Sequence, residues 1–151
     1  MLDGYKVMKE KYIFDAAKDF ETGSRILAEQ FGQRIFPVRA VVVTSAFAIE
    51  LYLKCLLLLT AGAIPKSHKL VDLYDALPNE VKHLAREKYH VIAPKAGELR
   101  DALLEHNETF VEWRYIFERQ DREFSLRFKP LRDAATALYD TTVSFRPEWR
   151  R

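Results

Sequence analysis

Cysteine is nearly absent from this chain: Cys55 is the only one in 151 residues. No intrachain disulfide can form, and no multi-cysteine zinc site can be built. Glycine and proline are scarce, at 5 and 6, and no strand–turn–strand rhythm recurs. An excess of one charge is also missing. The 24 Lys and Arg face 22 Asp and Glu, a formal net charge of +2. That balance gives no bulk electrostatic argument for a nucleic-acid groove. Residues 114–151 hold nine basic against six acidic side chains, a mild bias that reads as a solubilising surface. The N-terminus, Met1 to Lys6, lacks the charged-then-apolar plan of a secretory signal. The apolar run 40–63 is broken by Glu50 and Lys54. No uncharged stretch in it approaches the roughly 20 residues of a membrane span, so a soluble cytoplasmic protein is expected. Gly-rich phosphate loops, nucleophile elbows and clustered carboxylates are all lacking. Kinases, Ser-His-Asp hydrolases and glycosidases therefore have no support. His83 and His90 lie two turns apart, whereas zinc sites on a helix use tighter spacing with further ligands. No metal and no cofactor is expected.

What is present is apolar and aromatic: 48% hydrophobic and 13% aromatic residues, enough for a substantial core. The chain reads as one all-α domain over 1–151, an antiparallel up-and-down bundle of about five to seven helices. Its core spans about 8–143, with a tail from 144 to 151. A first helix is expected over 8–31, with Ile13, Ala17, Phe20, Ser24, Leu27 and Phe31 as its packing stripe. Gly32 fits its end and Pro37 the start of a second helix over 37–61, closed by Gly62 and Pro65. Ser67 is the expected N-cap of a short third helix, 68–77. A fourth runs from Pro78 to about His90, with Val81, Leu84, Ala85 and Tyr89 inward. A fifth, carrying Leu99, Leu103, His106, Phe110 and Trp113, is expected to reach 117, with a bend near Asn107. Residues 123–128 alternate strictly, which predicts an extended connector pinning Phe124, Leu126 and Phe128 onto the bundle. Pro130 opens a last helix to Val143, with Leu131, Ala134, Ala135 and Leu138 inward. The tail is either loose or tied down by Trp149.

The second helix carries the most information. Its run Ala46 to Leu59 is apolar except for Glu50 and Lys54, four residues and one turn apart. The acid lies N-terminal to the base, the favourable order. On a helical wheel Arg39, Val43, Ala46, Glu50 and Lys54 form one narrow stripe. Such a helix belongs at the centre of a bundle or at a dimer interface, with Glu50 and Lys54 as a structural polar pair. Cys55 on the same helix reads as a buried small residue and not a nucleophile.

Three segments follow in a fixed order: Ala48-Ile49-Glu50-Leu51-Tyr52-Leu53-Lys54, then Ser67-His68-Lys69-Leu70, then Trp113-Arg114-Tyr115. This order resembles the HEPN family (higher eukaryotes and prokaryotes nucleotide-binding domain), over about residues 10–143. The resemblance implies a helical bundle, frequent homodimers and often a nucleotidyltransferase partner in toxin–antitoxin or defence systems. It also implies RNA or nucleotide binding, with His68, Arg114 and Tyr115 as ligand-binding candidates. Many members are metal-independent ribonucleases whose signature is an Arg followed by a polar residue and, shortly after, a His. Arg100-Asp101 and His106 meet that pattern with five residues between Arg and His. On a straight helix the two point about 120° apart, so they meet only at a bend or across a dimer. In such a site His106 would move the proton of a ribose 2′-hydroxyl or of the leaving oxygen. Arg100 would neutralise the phosphate. The other readings are a packed or surface His106, a solvated Arg100, and Arg114 paired with Glu50. A non-catalytic interaction module is the alternative function.

Overall fold

The computed structural model describes residues 2–34, 36–107, 109 and 128–150. Among these residues six α-helices pack as a bundle and no strand occurs. They are α1 (Leu2–Ala28), α2 (Val38–Thr60), α3 (Leu70–Asp75), α4 (Asn79–Ile92), α5 (Leu99–Glu105) and α6 (Phe128–Phe145), followed by a 3₁₀ turn at Pro147–Trp149. The all-α bundle read from the sequence is thus the fold.

α2 is the central element. Twelve of its side chains, from Val41 to Leu57, are buried, because α1, α3 and α6 all pack against it. By length and composition alone α2 could cross a membrane, but its most apolar stretch is 72% buried inside the bundle. Of the two placements expected for such a helix, the bundle centre accounts for this apolar surface. Its C-terminus closes on Gly62 at φ +75°, whose N–H reaches the Leu57 carbonyl at 2.9 Å. Only glycine adopts that backbone at no steric cost.

α1 and α2 form an antiparallel hairpin held by polar contacts as well as apolar ones. Ser24 bonds Ser45, the Tyr52 hydroxyl donates to Glu21, and Cys55 Sγ donates to the Glu10 carbonyl at 3.4 Å. Partners that rise along one helix fall along the other. The buried face of α1 runs through Glu10, Phe14, Ala17, Ser24 and Ala28. This corrects the expected stripe: Ala17 and Ser24 hold, but Phe20 and Phe31 are exposed. Glu10, a charged residue on the buried face, disguised it. Phe20 instead meets Phe47 edge-on at 4.6 Å, and Phe31 joins Phe36 and Phe128 in an aromatic cluster.

Several boundaries move. α1 begins at Leu2 and ends at Ala28, not 8–31. α3 begins at Leu70, two residues later than expected, with Lys69 at the capping position. Phe128 belongs to α6 and not to an extended connector, and Pro130 lies in the first turn, where its missing N–H costs no hydrogen bond. The rest of the alternating segment, and the expected continuation of α5 through Phe110 and Trp113 to 117, lie outside the described residues. The inward faces of α3, α4 and α6 are as expected, with Leu84 half-buried.

The C-terminal turn is tied down. Trp149 is buried, 5.1 Å from the Phe14 ring, and Phe14 also stacks on Tyr139 at 5.7 Å. Trp149→Ala should therefore cost about 3–5 kcal/mol, the usual range for a buried aromatic. Urea denaturation measures it, and a loss under about 1 kcal/mol would show that the turn does not complete the core. Glu21 offers a second test. Burial raises its carboxyl above the ordinary range, only partly offset by the Tyr52 hydroxyl and Arg25. A raised folded value gives stability that is full below the ordinary glutamate range and lost as pH rises through the folded value. The stability of wild type relative to Glu21→Gln should accordingly fall with rising pH across that window. A pH-independent difference in urea midpoints would contradict it.

Candidate functional site

A cleft of about 680 Å³ lies between α2, the 61–69 loop and the end of α5. Its floor is apolar: Ala46, Phe47 and Leu51 from α2 and Leu70 from α3. Lys54, Lys66, His68 and Lys69 bring basic groups to the lining, and Glu50 is the one carboxylate among the described lining residues.

Glu50 organises the site. Its side chain is only 7% exposed, and Oε1 accepts from Lys54 Nζ at 2.7 Å and lies 2.8 Å from His68 Nδ1. The Lys54 contact follows from i,i+4 spacing on α2. The His68 contact is non-local. From Glu50, α2 runs ten residues to Thr60, about 15 Å at helical rise. The extended loop then retraces that distance and returns His68 to the Glu50 level. An ionised carboxylate only accepts, so Nδ1 carries the proton. His68 itself is 83% exposed, which leaves Nε2 on the solvent side.

The loop is held by its own sequence. Ser67 Oγ accepts the Lys69 N–H at 3.1 Å and donates to Asp72 at 2.8 Å. Ser67 thus braces the approach to α3 without being its N-cap. Asn107 Oδ1 accepts the Val71 N–H at 2.8 Å, satisfying a first-turn donor of α3 from across the cleft. α5 stops just before this residue, capped at His106.

The sequence-derived candidates separate. His106 lines the cleft, is 5% exposed, and places Nδ1 3.2 Å from Thr109 Oγ1. Arg100 does not share it. It lines a second depression of about 580 Å³ with Tyr74, Lys82 and Arg86. There it grips Asp75 with two bonds of 3.0 and 2.8 Å. That bond lowers the Asp75 carboxyl and raises the Arg100 guanidinium. One chain therefore does not bring Arg100 and His106 together. Glu50, Lys54 and His68 do come together, as a triad that sequence reasoning assembled only as the Glu50–Lys54 pair. Arg114 and Tyr115 lie outside the described residues. Cys55 is fully buried and its thiol is pushed up to about 12 by burial, which makes it a poor nucleophile at neutral pH. Among the described residues no group of three or more His, Cys, Asp or Glu is placed to hold a metal.

No family model, no curated protein and no solved structure matches the chain.

Glu50→Ala removes the acceptor from both Lys54 and His68. It should cost on the order of 2 kcal/mol, the scale of a hydrogen bond to a charged group. It should also release His68 from its fixed tautomer. Ring-nitrogen NMR shifts report that directly; an unchanged Nδ1–H signature in the variant would mean that Glu50 does not set it.

Proposed function

We propose that the protein is a HEPN-like RNA- or nucleotide-binding protein whose ligand occupies the cleft between α2 and the 61–69 loop. One observation carries this reading: Lys54, Lys66, His68 and Lys69 surround an apolar-floored cavity of about 680 Å³. Small-molecule sites commonly fall between about 300 and 1,000 Å³, apolar within and polar at chosen points. Phosphates suit the lysines, and a base suits the floor of Phe47, Leu51 and Leu70. The positive groups are local, which is why the bulk charge does not betray them.

The resemblance also implies a homodimer, and a toxin–antitoxin or defence setting is part of the same proposal. A second reading, a non-catalytic module that partners a nucleotidyltransferase, is favoured by the grip of Asp75 on Arg100. That grip occupies the arginine an Arg100–His106 ribonuclease would use on phosphate.

The test is fluorescence anisotropy with a labelled single-stranded RNA and with a labelled mononucleotide. Lys66→Ala, at an exposed side chain, should weaken binding roughly three- to tenfold and flatten its dependence on salt. Arg100→Ala should leave affinity unchanged. Binding that follows Arg100 and ignores Lys66 would move the ligand to the second depression.

A further inference from the structure

We propose that the turn between α1 and α2 is a docking surface for an anionic lipid bilayer, with Phe31 as the inserting side chain and Arg34 and Arg39 as the headgroup-binding cations. The surface is independent of what the cleft holds: from Val38 to Glu50, α2 rises about 18 Å. Three phenylalanines from separate parts of the chain meet at this end of the bundle. Phe31 in the turn, Phe36 ahead of α2 and Phe128 at the start of α6 form a triangle with ring centroids 5.5, 5.7 and 5.3 Å apart. Phe31 is nevertheless 68% exposed, and Phe36 and Phe128 are half-buried. A lone exposed aromatic is ordinary, but a contiguous aromatic patch rimmed by charge marks an interaction surface.

The turn ends the hairpin abruptly. The Phe31 N–H reaches the Ala28 carbonyl at 3.0 Å, the Gln33 N–H reaches the Gln30 carbonyl at 3.0 Å, and Gly32 reverses the chain at φ +85°. Phe31 thus stands at the tip of two antiparallel helices, and neither it nor its two ring partners line the clefts described above. An aromatic tip of this kind suits a deformable interface, whereas a protein partner would need a groove of its own. The charge has the matching sign. From Glu29 to Arg39 the described charged side chains are Glu29, Arg34 and Arg39, all exposed. Neither arginine forms an ion pair or a side-chain hydrogen bond among the described residues. Arg39 lies in the first turn of α2, which holds no acid. A cation there opposes the helix dipole, so helix stability does not account for it. Lys129, beside Phe128, is held by Asp133 at 2.7 Å and adds no net charge. Each arginine beside an anionic bilayer strengthens binding about fivefold, and burial of an exposed phenylalanine about tenfold. The sum is a reversible contact and not an anchor.

The experiment is co-sedimentation of the full chain with vesicles of pure phosphatidylcholine and with vesicles containing about 30% phosphatidylserine. It compares wild type, Phe31→Ser, Phe31→Trp, the double variant Arg34→Gln with Arg39→Gln, and Lys66→Ala. Wild type and Lys66→Ala should bind the anionic vesicles, bind the neutral ones far more weakly, and lose affinity as salt is added. Phe31→Ser should bind about tenfold more weakly, and the double variant about 25-fold more weakly. Phe31→Trp should bind as wild type does, and brominated acyl chains should quench its emission beyond any quenching in wild type. A merely structural Phe31 would give no such added quenching. No binding of anionic vesicles by wild type would overturn the proposal, as would equal binding by Phe31→Ser. A double variant that kept vesicles but lost single-stranded RNA would overturn it too, and make the turn a nucleic-acid surface. Loss of vesicle binding in Lys66→Ala alone would overturn it by moving the bilayer contact to the cleft.

Discussion

A carboxylate taken out of water must be given donors, and Glu50 is met from two directions. One donor, Lys54, comes with the helix itself. The other, His68, is reached only by a loop that doubles back along α2. Leaving a buried charge unpaired costs several kcal/mol, so the loop path is tied to the helix that precedes it. The rest of the cleft depends on that tie. With His68 placed, Ser67 can brace Asp72 and Lys69, and Leu70 can begin α3 against α2. Asn107 then secures α3 from the far wall.

The core obeys a different logic. Leucines and alanines of α2, α4 and α6 fill space but fix no register on their own, since apolar surfaces can slide with little penalty. The α1–α2 seam supplies the register through Ser24–Ser45 and Glu21–Tyr52. Buried polar bonds are directional, and a shift along the hairpin would leave each of them unmade. Thr141 and Thr142 solve the same problem within one helix, returning their buried hydroxyls to the carbonyls one turn back.

This division explains what could be read from the sequence. The helices with simple amphipathic patterns, α3, α4 and α6, showed their inward residues correctly because only burial decided them. α1 did so only in part: Ala17 and Ser24 hold, but its inward side also includes Glu10, a residue type that normally faces water. The partner of Ser24, Ser45, sits on another helix and leaves no local mark. The site divides the same way. Glu50 and Lys54 announced themselves by one-turn spacing. His68 was named as a ligand candidate by resemblance, but its bond to Glu50 required knowing the path of the loop. Arg100 and His106 are close in sequence, yet α5 and its end direct them to different depressions. Spacing along a chain constrains side-chain convergence only while the helix continues.

The contact between Trp149 and Phe14 joins the first helix to the last turn of the described chain. During synthesis α1 emerges first and must wait for almost everything else before its central aromatic is covered. Until then Phe14 and its neighbours present an apolar face to whatever is nearby, which is the period in which chains associate wrongly. The α1–α2 hairpin can shelter part of that face early, because its seam needs only the first sixty or so residues. Closure by the aromatic turn comes only after the segment beyond α6 has been made. The molecule is thus assembled from one local hairpin and sealed by one of its most distant contacts.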